Sequence, residues 1–399
     1  MMARPAFSRF VLTSFAALLL GALNQSAPTI KRWCGVFPPF TTVEKAPDAL
    51  RIGLIGASGI SRFALLWPAS KITAVRIVAV AARDRRRAEG FALKHGIPTV
   101  HGSYEDLVND GSVDAVYVSL VTELHLQAAK LALSAKKHVL LEKPGALRAS
   151  EALELAEIAK RNGVVLFEAY HYRYHPLARR VREVVASGAL GDVLHIDAKM
   201  AQFDPRTLWQ SDDADRAGIK LLDRWCYVVD ELHFLLNAAD YAPLRVTNAS
   251  LTSTRLLAFL SSESLRRIDG HNGHGVVSMR VEAYKNKLDA PDWNVNMRGT
   301  KGELEVVNIG FPFVYHHMRL RHSNGSVSTE QVYGDGTPTP LVTTFDYQLL
   351  AFVNAVRQLE AHSSNAANLV RNALVFEAIC DAAGHACFDS WGADGLPPR

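Results

Sequence analysis

The chain is poor in cysteine: four in 399 residues, Cys34, Cys226, Cys380 and Cys387, none in a C-x-x-C pair and none regularly spaced. That scarcity argues against a thiolate zinc site and a disulfide framework, and it fits a reducing compartment. Excess charge is lacking too. A formal net charge of +4 is small for this length, and the densest basic run, Arg83 with Arg85, Arg86 and Arg87, stays within one short segment. Nucleic-acid binding needs a broader basic face with stacking aromatics, so no nucleic-acid partner is expected. The first 43 residues have no Asp or Glu while carrying Arg4, Arg9, Lys31 and Arg32. Their apolar stretch, Val11–Leu23, has thirteen residues, short of the roughly 20 that a membrane span requires. It matches the core of a signal peptide or an acid-poor transit peptide, although no A-x-A cleavage site follows. A helix packed on the body of the protein or on a partner chain is the other reading. The expected location is cytoplasmic, with organelle targeting or membrane association through residues 1–43 left open.

Internal repeats and low-complexity segments are absent, and the composition is that of a globular protein long enough for two domains. From Leu50 onward, apolar runs alternate with amphipathic stretches. Strands are predicted at Arg51–Ile55, Arg76–Ala81, Ala115–Leu120, Val139–Leu141 and Val164–Glu168. Helices are predicted around Ile60–Leu66, Arg85–His95, Tyr104–Val108, Leu124–Ala135 and Ser150–Asn162, the last capped by Ser150. Strands separated by helices of this length imply βαβ units and a doubly wound parallel sheet. After about Gly191 the texture changes to short β-type runs from Val193–Met200 to Met318–Arg321, which imply a largely antiparallel sheet, closed by helices at Phe345–Glu360 and Asn368–Ala383. The Gly270–Gly275 loop holds His271 and His274 but no cysteine or carboxylate in a ligand pattern, so no metal is expected.

Between the first strand and the first helix lies Gly56-Ala57-Ser58-Gly59-Ile60-Ser61. Aligned by the strand end, Gly56, Ser58 and Ser61 fall on the three positions of the dinucleotide fingerprint G-x-G-x-x-G/A, which is kept at the first and replaced by small serines at the others. The strand–turn–helix context is what gives the match its weight. Gly56 permits the tight turn, Ser58 still allows a pyrophosphate near the backbone, and helix N–H groups face it. The second strand ends in Ala81-Ala82-Arg83 rather than in the acid that accepts from a ribose 2′-hydroxyl. Arg83 would form a charge-assisted fork to a 2′-phosphate, so NADP is favoured over NAD. Asp84 fits the start of a helix, and Arg85–Arg87 fit either phosphate binding or a solvated helix face.

The fourth predicted strand closes in Leu140-Leu141-Glu142-Lys143-Pro144, which puts a cation beyond the carboxyl end of a parallel strand, where such sheets bind ligands. With the turn at Gly56, this Glu-Lys-Pro resembles the signature of the Gfo/Idh/MocA oxidoreductases, a family with an N-terminal Rossmann domain and a C-terminal α/β domain built on an open sheet. The resemblance covers about residues 50–360. It implies that Glu142 and Lys143 border the cofactor, with Lys143 beside the nicotinamide and the reacting carbon, and that Thr122 and His125 lie near the cofactor; a buried helix-start role for His125 remains the alternative. Asp223-Arg224-Trp225-Cys226-Tyr227 resembles the Asp-x-Gly-x-Tyr pattern of the branch containing dimeric dihydrodiol dehydrogenase and NADP-dependent D-xylose dehydrogenases. That resemblance implies Tyr227 as acid/base, with Asp223 one helical turn away. Glu168–Pro176 resembles a cleft-lining family segment and implies Tyr170 and Arg173 at the substrate, with Trp225 narrowing the pocket.

A tyrosine base needs help, since lowering its pKa from near 10 to about 7 takes roughly 4 kcal/mol. One ammonium at about 4 Å, in an effective dielectric near 20, supplies about that much. Lys143 beside Tyr227 would therefore suffice. The expected organisation is an extension at 1–49, an NADP-binding domain at 50–175 and a substrate-binding and dimerisation domain at 176–399. The expected activity is NADP-dependent oxidation of a carbinol on a small molecule, the anomeric carbon of an aldose to a lactone or the reverse, in a homodimer. Arg224-Trp225, in place of apolar and small residues, keeps two rivals open: a non-catalytic NADP-sensing regulator, and a tailoring oxidoreductase for a non-sugar metabolite.

Overall fold

The computed structural model describes residues 42–203, 214–236, 244–251, 255–261, 276–284, 292–313, 315–333, 342–358 and 365–384. Residues 1–41, the Gly270–Gly275 loop, Cys34, Cys387 and the C-terminal tail lie outside the described residues. Two compact units account for the rest. One holds residues 42–171 and 345–374; the other holds 172–344 and 375–384.

The first unit is built on six parallel strands: β1 (Leu50–Ile55), β2 (Val75–Ala81), β3 (Thr99–His101), β4 (Ala115–Val118), β5 (His138–Leu141) and β6 (Leu166–Glu168). Their order, β3-β2-β1-β4-β5-β6, is that of the doubly wound dinucleotide fold. All four residues of β4 are buried, as expected where helices cover both faces of a sheet. The edge strand β3 escaped sequence prediction because three partly exposed residues leave no apolar run.

The helices of this unit start and stop for local reasons. After the glycine turn the chain makes a π-helical turn at Arg62–Leu66 before settling into α1 (Trp67–Lys71), where a continuous α-helix was expected. The next helix, α2 (Arg85–His95), is capped by Asp84, which accepts from the Arg87 backbone N–H at 3.3 Å, and it stops at Gly96, φ 68°. Then follow α3 (Tyr104–Asn109), α4 (His125–Ser134) and α5 (Ala149–Asn162). The expected Ser150 cap is displaced: α5 starts one residue earlier, and the Glu151 carboxylate accepts from the backbone N–H groups of Leu147 (3.0 Å) and Arg148 (3.2 Å). Ala128, Ala129 and Ala132 of α4 and Ala152 and Ala159 of α5 are buried with Val116, Val118, Val139 and Leu141 of the strands, small side chains that let the helices lie close to the sheet.

After α6 (Pro176–Ala186) and α7 (Ala214–Leu235) come two closing helices, α8 (Thr344–Val356) and α9 (Ala366–Ala382). The expected boundary placed both in the domain at 176–399. Residues 345–374 instead pack with the parallel sheet, because their partners are there. Phe352 meets Phe167 of β6 edge-on at 5.5 Å, Leu369 and Ala373 join the alanine-rich core, and Asp346 pairs with Lys71 at 2.6 Å.

In the second unit, α6 (Pro176–Ala186) and the long α7 (Ala214–Leu235) accompany an eight-stranded sheet. Its strands are β7 (Val193–Phe203), β8 (Arg245–Leu251), β9 (Arg255–Ser261), β10 (Val276–Tyr284), β11 (Asp292–Gly299), β12 (Gly302–Val307), β13 (His317–His322) and β14 (Val327–Glu330), in the order β14-β13-β12-β11-β7-β10-β9-β8. Every pair is antiparallel except β7–β10. Strand alternation buries Ile196, Ala198 and Met200 on one face, while ion pairs such as Arg319–Glu305 at 3.2 Å lie on the other. Cys226 of α7 is a buried free thiol.

Phe352 is fully buried, so Phe352→Ala should destabilise the protein by about 3–5 kcal/mol. Urea unfolding checks this, and a loss of about 0.5 kcal/mol or less, the ordinary scatter of surface substitutions, would contradict the packing of α8 on β6.

Candidate active site

In the order of the parallel sheet, β1 and β4 are the neighbours from which the chain winds in opposite directions, and ligands bind beyond the carboxyl ends of strands at such a point. Gly56 ends β1 with φ +107°, and a Cβ added there would lie 2.8 Å from the Ser119 carbonyl oxygen at the end of β4. The fingerprint glycine is thus required by backbone approach as well as by conformation. Ser58 and Ser61, at the other two fingerprint positions, are hydrogen-bonded to each other through their hydroxyls at 2.8 Å. One strand away, the exposed Arg83 follows β2. Arg87, left open as a solvated residue, reaches back to the turn and donates to the Ala57 carbonyl through Nε (3.2 Å) and Nη2 (2.9 Å). Tyr104, whose pKa burial raises, feels the opposing charges of Arg83 and Arg87. Two guanidinium groups therefore gather at the end of β2.

Lys143 stands half-buried on a loop held at three points. Its neighbour Glu142 is buried and accepts from the Tyr117 hydroxyl of β4 at 2.6 Å. The Pro144 carbonyl, after a cis Lys143–Pro144 peptide, accepts from His125 Nδ1 at 2.8 Å. A carbonyl only accepts, so Nδ1 carries the proton. The Gly145 N–H donates to Glu168 Oε1 at 2.8 Å, and a Cβ on Gly145 would come within 2.8 Å of Leu369. His125 is therefore buried behind the lysine loop, and Thr122 opens the short 3-10 turn leading to it. Burial, and then the charge of Lys143, push His171 down to about 3. That ring is neutral at ordinary pH and adds no positive charge beside Lys143. Tyr170, beside it, is fully buried.

The second unit carries Asp223, Trp225 and Tyr227 on α7, together with Arg173. Two of these depart from expectation. Trp225 is fully buried and meets Phe376 edge-on at 5.1 Å, in the core and not lining a pocket. Residues two apart on a helix point to different sides, so Trp225 and Tyr227 do not share a face. Arg173, expected to donate to a substrate, is buried and paired with Asp230: Nε donates to Oδ2 at 2.7 Å, and Nη2 to Oδ1. Asp230 also accepts from the Tyr172 hydroxyl at 2.6 Å. Burying a guanidinium requires such a partner.

Tyr227 lies in an aromatic setting that the sequence reading missed. Its ring meets Trp293 edge-on at 4.9 Å and lies 6.4 Å from Tyr172. Trp293 in turn donates from Nε1 to Glu231 Oε2 at 3.1 Å. Glu231 is one helical turn after Tyr227, a spacing that could have flagged it. Among the described residues, no group of three His, Cys, Asp or Glu side chains could hold a metal ion, and no helix is long and apolar enough to cross a membrane.

A doubly wound sheet with a glycine turn at its switch point defines a dinucleotide-binding protein, and a lysine loop beside that point is suited to oxidoreductase chemistry. The comparisons agree. Residues 50–170 match the oxidoreductase family with NAD-binding Rossmann fold, and residues 178–305 match the GFO/IDH/MocA C-terminal domain. The chain belongs to the Gfo/Idh/MocA family of oxidoreductases. It is 35% identical over 221 residues to D-xylose 1-dehydrogenase (NADP(+)) 2 of Haloferax volcanii, which covers 54% of this chain and 66% of that enzyme. It is 37% identical over 191 residues to mouse trans-1,2-dihydrobenzene-1,2-diol dehydrogenase, 48% of this chain and 57% of the relative. The matched stretches thus span less than two thirds of either relative. A 3-ketoreductase from Actinomadura kijaniata, crystallised with NADP and TDP-benzene, shares the fold at a TM-score of 0.69 and 22% identity, over 84% of this chain and 98% of that one.

Glu231 gives this site a pH signature. Burial pushes its carboxyl up to about 8 from an ordinary 4.5; the Trp293 N–H opposes the rise and the Asp230 charge adds to it. Between those two values the unfolded chain binds fewer protons than the folded one, so stability falls as pH rises through that window and levels off above it. Glu231→Gln should therefore flatten the decline in Tm between about pH 5 and pH 8. Thermal melts across that range decide the matter; a slope equal to that of the unaltered protein would contradict it.

Proposed function

We propose that the chain is an NADP-dependent oxidoreductase that oxidises a carbinol on a small molecule, the anomeric carbon of an aldose to a lactone, or runs the reverse reduction. The observation that carries this reading is the lysine loop: Lys143 is fixed beside the dinucleotide switch point by Tyr117, His125 and Glu168 acting on its neighbours. Such anchoring suits a group that must meet a reacting atom in one geometry. Arg83 and Arg87 favour a 2′-phosphate on the ribose, and the relatives' NADP dependence points the same way.

Bound NADP, in its oxidised form, would supply the hydride acceptor and a positively charged ring. Tyr227 takes the proton of the substrate hydroxyl during oxidation and returns it during reduction. The Lys143 ammonium stabilises the phenolate that results, and Asp223 supports Tyr227 from one turn earlier on α7. Trp293, edge-on to the Tyr227 ring, limits the orientations open to the phenol. Arg173 serves by holding α7 through Asp230, not by touching substrate. A cytoplasmic homodimer belongs to the same reading. The sensor alternative drew on Arg224-Trp225, and the burial of Trp225 against Phe376 weakens that argument.

A panel of aldoses and diols with NADP or NAD, followed by reduced-cofactor absorbance, tests the proposal. Tyr227→Phe should lower kcat by about 10²–10⁴-fold while NADP still binds. Tight NADP binding with no turnover across the panel would favour the sensor, or the enzyme for a non-sugar metabolite. Arg83→Ala should weaken NADP about 10-fold or more and leave NAD nearly unchanged. Equal losses for both cofactors in a fluorescence titration would remove Arg83 from the 2′-phosphate site.

A further inference from the structure

A chain of three hydroxyls crosses the switch point. Ser58 Oγ lies 2.8 Å from Ser61 Oγ, Ser61 Oγ lies 2.8 Å from Ser119 Oγ, and Ser119 Oγ donates to the Gly56 carbonyl at 3.2 Å. The chain runs from the buried end of β4, where Ser119 is 2% exposed, through the fully buried Ser61 to the partly exposed Ser58 on the turn. Ser58 and Ser61 occupy the positions where the fingerprint has glycine and a small residue, so this network replaces what bare backbone would otherwise provide there.

Counting donors shows what the arrangement can do. Each hydroxyl has one proton and can accept as well. Read inward, Ser58 donates to Ser61, Ser61 to Ser119 and Ser119 to the Gly56 carbonyl, and all three protons stay inside the protein. Read outward, Ser119 donates to Ser61 and Ser61 to Ser58, which frees the Ser58 proton for a partner beyond the turn. The outward sense gives up the two long contacts of Ser119 with neutral carbonyls, Gly56 at 3.2 Å and Ile55 at 3.5 Å, and gains one bond to whatever faces Ser58. An anion makes the stronger bond, and linked hydroxyls polarise one another in the same sense.

We propose that the Ser58 hydroxyl donates to the pyrophosphate of the bound dinucleotide, and that Ser61 and Ser119 are positioning residues that aim it by reversing the direction of this chain. The proposal rests on the reading of the turn as the NADP site. It makes Ser58 a binding group in its own right and assigns a task to two buried serines with no direct access to the cofactor.

Calorimetric titration with NADP, and with 2′-AMP as a probe that lacks the pyrophosphate, tests it on the full chain. Ser58→Ala should weaken NADP about 10-fold and leave 2′-AMP unchanged. Ser61→Ala should weaken NADP by a smaller factor, and that loss should vanish when Ser58 is already alanine, because Ser61 acts only through Ser58. Ser119→Ala offers the same cycle should the Ser61 variant fold poorly. Unchanged NADP affinity in Ser58→Ala overturns the proposal, as do additive losses in both cycles or an equal loss of 2′-AMP. If the unaltered protein binds neither probe, the NADP reading itself fails, a result distinct from the other three.

Discussion

Where β1 ends, the backbone passes so close to the end of β4 that no side chain fits between them. The 2.8 Å from a would-be Cβ on Gly56 to the Ser119 carbonyl oxygen measures that constraint. Much else in the first unit depends on it. The tight turn brings Ser58 and Ser61 to Ser119 and gives Arg87 a carbonyl to hold at Ala57. The next strand, β5, carries the lysine loop to the same end of the sheet, and β6 carries the Glu168 carboxylate that holds Gly145. Parallel strands put their carboxyl ends together, so the loop after one strand lies within hydrogen-bonding reach of the next.

The second unit is organised by a buried charge. Arg173 and Asp230 are withdrawn from water, and a guanidinium so placed is tolerable only when a carboxylate meets it. Tyr172 completes the carboxylate's partners, and the pair fixes α7 at the level of Tyr227, three residues before Asp230. Glu231, adjacent to that pair, takes the opposite course: it is held protonated by burial and anchors Trp293 against the Tyr227 ring. Two neighbouring carboxyls on one helix thus meet different partners, a guanidinium and a phenol at Asp230 and an indole N–H at Glu231.

Much of this could be read in the residues themselves. The strand-turn-helix at Gly56, the Glu-Lys-Pro after β5 and the shift to β-type runs after Gly191 are local patterns, and the parallel and antiparallel sheets follow them. Asp84 as a cap was legible for the same reason, since its partner is three residues away. Trp225 stands two positions from Tyr227 along the chain, but helical phase turns residues at that spacing to different sides, and Trp225 is in the core. The pairing of Arg173 with a residue 57 positions later left no local mark. Nor did the contact of His125 with the carbonyl of Pro144, 19 positions on.

The sequence alone determined the buried strands, the turn at Gly56 and the Asp84 cap, because those depend on interactions within a few residues, whereas the exposed edge strand β3 and the start of α5 left no such mark. Only the tertiary structure decided which sheet α8 covers, which buried charge meets which, and that serines 58 and 61 join a third at position 119. An apolar face specifies that it must be buried but not against what, and a polar side chain specifies that it needs a partner but not which one. Those choices follow from three-dimensional proximity, to which periodicity and composition are blind.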